Sequence, residues 1–343
     1  MICQECLKTH NRRKNRNTRL SAAVILILAA GVHLAPVPVA GQDEVASTSD
    51  FTITAMVYDD GWQRMLRNPG ALHYDPTSRE LFVTDGGNHR VVIYDHDLTP
   101  KYSFEHFVRD KRTGRAMKGE PRDVAVNSLG EIILIDNLAS HISVLDYRGK
   151  LLEKIYPNAL YGDTTLNIKP QCLAIDETDN LYVAVSGDVT TIMVLDNLFD
   201  LKKMISRRGG GKAEFNSPLA CQVQKGRIYV TDLYAEPAVK VFDTSGAFLF
   251  GFAGHDIDRG DVSFPAGIAV MENASGEQNI WVVDGLRQVI KVFNEAGEFS
   301  EIVGGYGFSP GEFRYPSDIA DMGEGAFSVV ERIGNRIQRF QTK

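Results

Sequence analysis

Apolar and polar positions along this chain fall into short alternating runs that return in pairs. Leu81-Phe-Val-Thr-Asp85 with Val91-Val-Ile-Tyr-Asp95 sets the pattern, two β-branched and aromatic runs joined by the glycine-rich turn Gly86-Gly-Asn-His-Arg90. Five further pairs follow, opening at Ile132, Leu181, Ile228, Ile280 and Phe327. A pair of this kind predicts an antiparallel hairpin. Before each pair stands a proline and another apolar run, at Pro69, Pro121, Pro170, Pro218, Pro265 and Pro316, in steps of 52, 49, 48, 47 and 51 residues. Each step has room for four strands. In the first unit these are predicted at Ala71–Tyr74, Leu81–Thr84, Val91–Tyr94 and Tyr102–Phe107, divided by turn residues such as Asp75-Pro-Thr-Ser.

A four-stranded unit of about 50 residues, repeated six times, is the signature of a β-propeller. The sixth unit ends after its third strand, at Phe340. Phe51 to Tyr58 alternates like a strand but has no hairpin partner of its own, so it is predicted to complete the last blade and tie the two ends of the chain together. The expectation is an all-β, six-bladed propeller of four-stranded antiparallel blades over residues 51–343, with short protected edges.

The unit resembles the NHL repeat. A proline, two residues, Ile-Ala-Val, a turn, Tyr-Val-x-Asp and Asn-x-Arg followed by an aliphatic residue are matched best by Pro69 to Asp95, with Asp85, Asn88, His89 and Arg90. Gly334-Asn-Arg-Ile337 and the glycine-rich run Gly304 to Phe313 are further matches. The resemblance covers residues 51–343 and implies the fold. It is almost silent on activity, since NHL propellers serve as RNA binders, protein-binding platforms and a few enzymes.

The first 41 residues differ in kind. Lys8, Arg12, Arg13, Lys14, Arg16 and Arg19 precede an apolar run from Leu20 to Leu34, and small residues surround Gly41. This reads as a signal peptide cleaved after Gly41, giving a secreted or periplasmic protein. The rival reading is an uncleaved anchor, opposed by Pro36 and Pro38. Gln42 to Asp50 is small and polar, a flexible leader. Cleavage removes six basic residues and Glu5, which takes the net charge from −7 to −12. Such a surface excludes nucleic acid as a partner, and nothing in the mature chain calls for membrane insertion. A monomer is expected.

Candidate chemistry is sparse. Asp85, Asp136, Asp232, Asp284 and Glu331 recur at one strand-end position and could ring a cation, but an Asp there ordinarily accepts turn amides and can pair with Arg90 or Arg336. Asp123 and Asp318 break the repeat, standing where other units carry Ala71, Cys172, Ala220 and Gly267. With Arg122 beside the first, they are the ligand-binding candidates, and weak candidates for Ca2+ or Zn2+ in the central channel. The zinc-dependent peptidyl-hydroxyglycine amidating lyase of the NHL group is similar only at His89. No histidine directly follows a blade-opening proline, so a three-histidine site is not visible. Calcium-dependent lactonases of related shape would want Glu, Asn and Asp converging from separate blades, of which Asp123 and Asp318 supply a part. Arg207-Arg-Gly-Gly-Gly-Lys212 lacks phosphate-loop spacing and reads as an exposed link. Asn273-Ala-Ser275 is a glycosylation site only in a eukaryotic host. Cys3 and Cys6 fall in the front end of the signal peptide. Cys172 and Cys221 fall on innermost strands of neighbouring units, and their one-residue offset predicts opposite strand faces, hence two buried thiols rather than a disulfide. The expected function is a binding or scaffold module acting on a protein or other extracytoplasmic ligand through its interblade loops. The alternative is a metal-dependent hydrolase or lyase in the channel.

Overall fold

The computed structural model describes residues 51–110, 112–255, 257–272 and 276–343. The signal peptide with Cys3 and Cys6, the leader from Gln42 to Asp50 and the Asn273 sequon lie outside the described residues. Six antiparallel sheets of four strands each are arranged as a propeller. The innermost strands are Pro69–Asp75, Pro121–Val126, Ile168–Ile175, Pro218–Gln224, Pro265–Glu272 and Pro316–Gly323. Each contacts the next, and the last contacts the first, so the ring closes around an axial channel. Proline is the first residue of five of them, where no ladder donor is needed, and Pro170 stands third in the other, next to a register shift.

In the first blade the strands are Pro69–Asp75, Glu80–Asp85, Arg90–Asp95 and Pro100–Glu105, each within two residues of its predicted start. Phe51–Val57 pairs antiparallel with Arg336–Thr342, Phe51 opposite Thr342 and Val57 opposite Ile337, as predicted. Phe51 then wedges between blades, edge-on to Trp281 at 5.5 Å and to Phe327 at 5.6 Å. Two elements in the links were not foreseen: a small hairpin of Phe107–Arg109 with Ala116–Lys118, and a one-turn helix at Pro157–Tyr161. Both replace what reads in sequence as plain loop.

Six apolar clusters, one per blade interface, form the core. Alternation divides the work. Ala125, Ile133 and Ile135 of the second blade face the third, while Val124, Ile132 and Leu134 face the first. Both faces of each blade are therefore buried, which is why the middle strands read as unbroken apolar runs rather than as alternating ones.

Cys172 and Cys221 are both free thiols, as expected, but the stacking corrects the argument that kept them apart. Their side chains do leave opposite faces of their strands. In a propeller, however, the forward face of one blade packs on the backward face of the next, so opposite faces are the ones that meet. The two sulfurs lie 2.6 Å apart, within the cluster between the third and fourth blades.

Candidate functional site

The strand-end acids hold the links rather than a cation. Asp85 accepts the Arg67 amide at 2.8 Å, Asp232 the Asn216 and Ser217 amides at 2.7 and 2.8 Å, Asp284 the Ser263 amide at 2.8 Å, and Glu331 the Arg314 amide at 2.7 Å. Asp85 also pairs with buried Arg90 at 2.6 Å, and Glu331 with buried Arg336. Asp136 accepts the link amide of Glu120 and the Leu138 amide, the latter at 2.8 Å, and differs in what faces its second oxygen. Its neighbour is His106, with Nε2 at 3.6 Å from Oδ2, and neither atom has a hydrogen-bond partner. Burial pushes His106 down to about 4 and raises Asp136, so the imidazole is neutral.

The channel is where the irregular residues converge. A cavity of about 210 Å³ at its mouth is lined by Arg122, Asp123, Asn137, Tyr315, Asp318 and Arg332, among others. Asp123 and Asp318 also line a smaller space of about 90 Å³ further in, beside His73 and Cys221. The structure thus brings all three sequence candidates, Arg122, Asp123 and Asp318, to one place. Antiparallel order puts the mouth on the face that carries the interblade links, since every innermost strand starts there.

Each carboxylate is already engaged. Asp123 accepts the amides of Leu173 in the third blade and of Val124, both at 2.8 Å. Asp318 does the same with Leu72 of the first blade at 2.8 Å and Ile319 at 2.9 Å. Burial raises Asp123 to about 6, against those amides and Arg122. Burial, and then the charge of Asp123, raise Asp318 well above the usual carboxylate range. Gly267 occupies the corresponding slot in the fifth blade, and a Cβ there would fall 2.6 Å from Asp318 Oδ1.

Arg122 is anchored by Nε to the Gln171 carbonyl at 2.7 Å and by Nη1 to Asn137 Oδ1 at 3.4 Å. Burial, together with the charge of Arg332, lowers its affinity for its proton. Sequence reasoning missed Arg332, which is exposed and shares the mouth with Arg122. The signal was its place directly after the strand-end acid Glu331, in the turn between the second and third strands of the sixth blade, a position no motif marks. An adjoining cavity of about 370 Å³ on the link face includes both arginines and adds Arg67 and His89.

The histidines are dispersed. His89 sits at φ 62° and contacts the Gly119 carbonyl through Nδ1 at 2.6 Å, a structural role in its turn. His96 lies against Tyr74 and Arg339, and His255 bridges the carbonyls of Val262 and Asp232. Among the described residues no group of three or more His, Cys, Asp or Glu is arranged to hold a metal ion. The basic glycine turn folds on itself, with Arg207 Nε at 2.8 Å from Glu214 and the Gly211 amide at 2.9 Å from the same carboxylate.

These features define a six-bladed β-propeller with a charged axial mouth. No family model matches the chain, and no curated protein matches its sequence. Solved structures do match in shape. Virginiamycin B lyase from Staphylococcus aureus aligns at TM-score 0.52 and 10% identity over 86% of this chain and 100% of its own. A gluconolactonase from Xanthomonas campestris aligns at 0.55 and 13% over 80% and 86%. A protein of unknown function from Bacteroides thetaiotaomicron aligns at 0.60 and 13% over 86% and 76%. At such identities the likeness is one of fold.

Proposed function

We propose that this chain is an exported propeller of the NHL type that works as a binding module, docking a protein partner outside the cytoplasm on its link face. The observation that carries this reading is the placement of the most exposed aromatic side chains. Trp62, Tyr234, Tyr306 and Phe308 are 56%, 70%, 65% and 66% exposed, and all four stand in interblade links or in turns between second and third strands. Aromatic side chains left in water on one face mark an interaction surface. Arg122 and Arg332 at the mouth add a receptor for a carboxylate of that partner. The enzyme reading needs free ligands in the channel, whereas the Asp123 and Asp318 carboxylates serve blade-to-blade hydrogen bonds.

The test is capture by the immobilised mature chain from Gln42 onward, using the extracytoplasmic fraction of its source. A partner that is retained directly and lost with Tyr306→Ala/Phe308→Ala and with Arg332→Gln supports the reading. Stoichiometric calcium or zinc in the purified chain, lost in Asp123→Ala and Asp318→Ala, would replace it with the channel enzyme.

A further inference from the structure

Near the axis, one register position joins blade to blade. Asp123, Cys172 and Asp318 each pair, on the second strand, with the residue just before the repeat's acid position, which Asp136, Val185 and Glu331 occupy: Ile135, Ala184 and Val330. From that position Asp123 reaches Leu173 of the next blade and Asp318 reaches Leu72 of the next blade, in both cases by a hydrogen bond to a backbone amide. Cys172 points the same way and meets a side chain instead, the Cys221 sulfur at 2.6 Å. The junction between the third and fourth blades therefore has a sulfur pair where two other junctions have a carboxylate clasp.

We propose that Cys172 and Cys221 are joined by a disulfide that pins the third blade to the fourth at the channel wall. The strands that carry them, Ile168–Ile175 and Pro218–Gln224, are held by neighbours on one side within their own sheets and pack on each other across the interface. The sulfurs of a disulfide stand about 2.05 Å apart, so bonding asks the pair, now at 2.6 Å, to close by about half an ångström. Cys172 is buried, while Cys221 is partly open to the inner channel space. The bond forms as the blades assemble, by exchange with a small-molecule disulfide such as oxidised glutathione. The Cys221 thiol loses its proton and attacks one sulfur of that disulfide, releasing one reduced thiol. The Cys172 thiolate then displaces the second, so the pair gives up two protons and two electrons and the reagent leaves as two thiols. In the cell this rests on the export reading, because a cytosolic pool keeps such pairs reduced.

The experiment uses the full chain, refolded in glutathione buffer and collected as folded monomer. It is then alkylated under denaturing conditions and digested with trypsin without reduction. The expected product is one cross-linked species of peptides 155–202 and 213–225, two hydrogens lighter than their sum, which reductant separates. Reductant also lowers the unfolding temperature of the wild type by several degrees and leaves that of Cys172→Ala/Cys221→Ala unmoved. Alkyl label on both peptides of the folded, oxidised protein, or linkage of either to Cys3 or Cys6, overturns the proposal. Export is read separately, from whether a cell-fractionated chain begins at Gln42. A cross-link formed in vitro in a chain that is never cleaved would sink the export reading alone.

Discussion

The Asp318 carboxylate accepts the Leu72 amide at 2.8 Å, joining the sixth blade to the first across the seam where the two ends of the chain meet. Removing that acceptor leaves a desolvated N–H beside the axis. Asp318→Ala is expected to destabilise the protein by about 1–3 kcal/mol, measured by urea unfolding. Asp318→Asn, which keeps an acceptor, should cost clearly less. Equal losses would show that the clasp is not the source of the effect.

The outer strand at the same seam carries a second prediction. Phe51 anchors Phe51–Val57 between Trp281 and Phe327. Because Phe51 is half-buried, Phe51→Ala should cost about 2 kcal/mol, less than a fully buried Phe. Deleting residues 1–58 exposes the edge of Arg336–Thr342 and should give an aggregating chain, seen by light scattering. A soluble, cooperatively folding truncation would contradict closure by this strand.

The architecture was legible because the signal is repeated: six copies of one hairpin pattern set blade number, strand order and the closing strand together. The strand-end acids were legible too, since an Asp required at every copy serves the fold. What the sequence hid arises between blades. The meeting of Cys172 with Cys221 depends on how faces stack, which a one-strand argument inverts. Arg332 joins Arg122 only when the ring closes, and His106 reaches Asp136 only through the short approach allowed by Gly119.

That approach is tight enough to test. A Cβ on Gly119 would sit 2.2 Å from Asp136 Oδ2 and 2.8 Å from the His106 ring. Gly119→Ala should therefore lower stability by about 1–3 kcal/mol, the usual range for overpacking. The substitution His106→Ala made with it should recover part of the loss by vacating space.

Buried ion pairs should dominate exposed ones. Arg90 is fully buried and bonded to Asp85, Asp60 and the Arg64 carbonyl. Arg90→Met strands two buried carboxylates and should cost about 3–5 kcal/mol. Lys225, whose pair with Glu272 is exposed on both sides, should tolerate Ala without measurable loss. Comparable losses at the two positions, by urea titration, would count against the burial argument.

Acid dependence sets opposing groups against each other. His73 and His106 are pushed by burial to about 4 from an unfolded value near 6.5. The native state then binds fewer protons than the unfolded chain between those values, so these residues make stability fall as pH drops through that window. Asp123 works the other way. Its folded value of about 6 lies above the ordinary 3.8, so between about 4 and 6 the native state binds more protons, and stability rises as pH drops. Asp318, raised by burial and by Asp123, adds to that second effect. The wild type should accordingly show a shallow acid limb. Asp123→Asn keeps an acceptor for the Leu173 amide but removes its own offset and the part of the Asp318 rise that comes from the Asp123 charge, leaving the histidines less opposed. Its urea midpoint should fall more steeply than that of the wild type between pH 6.5 and 4.5. His73→Asn should flatten the limb instead. Parallel curves for wild type and Asp123→Asn would mean that Asp123 titrates as an ordinary carboxylate and that the channel floor is wetter than its burial implies.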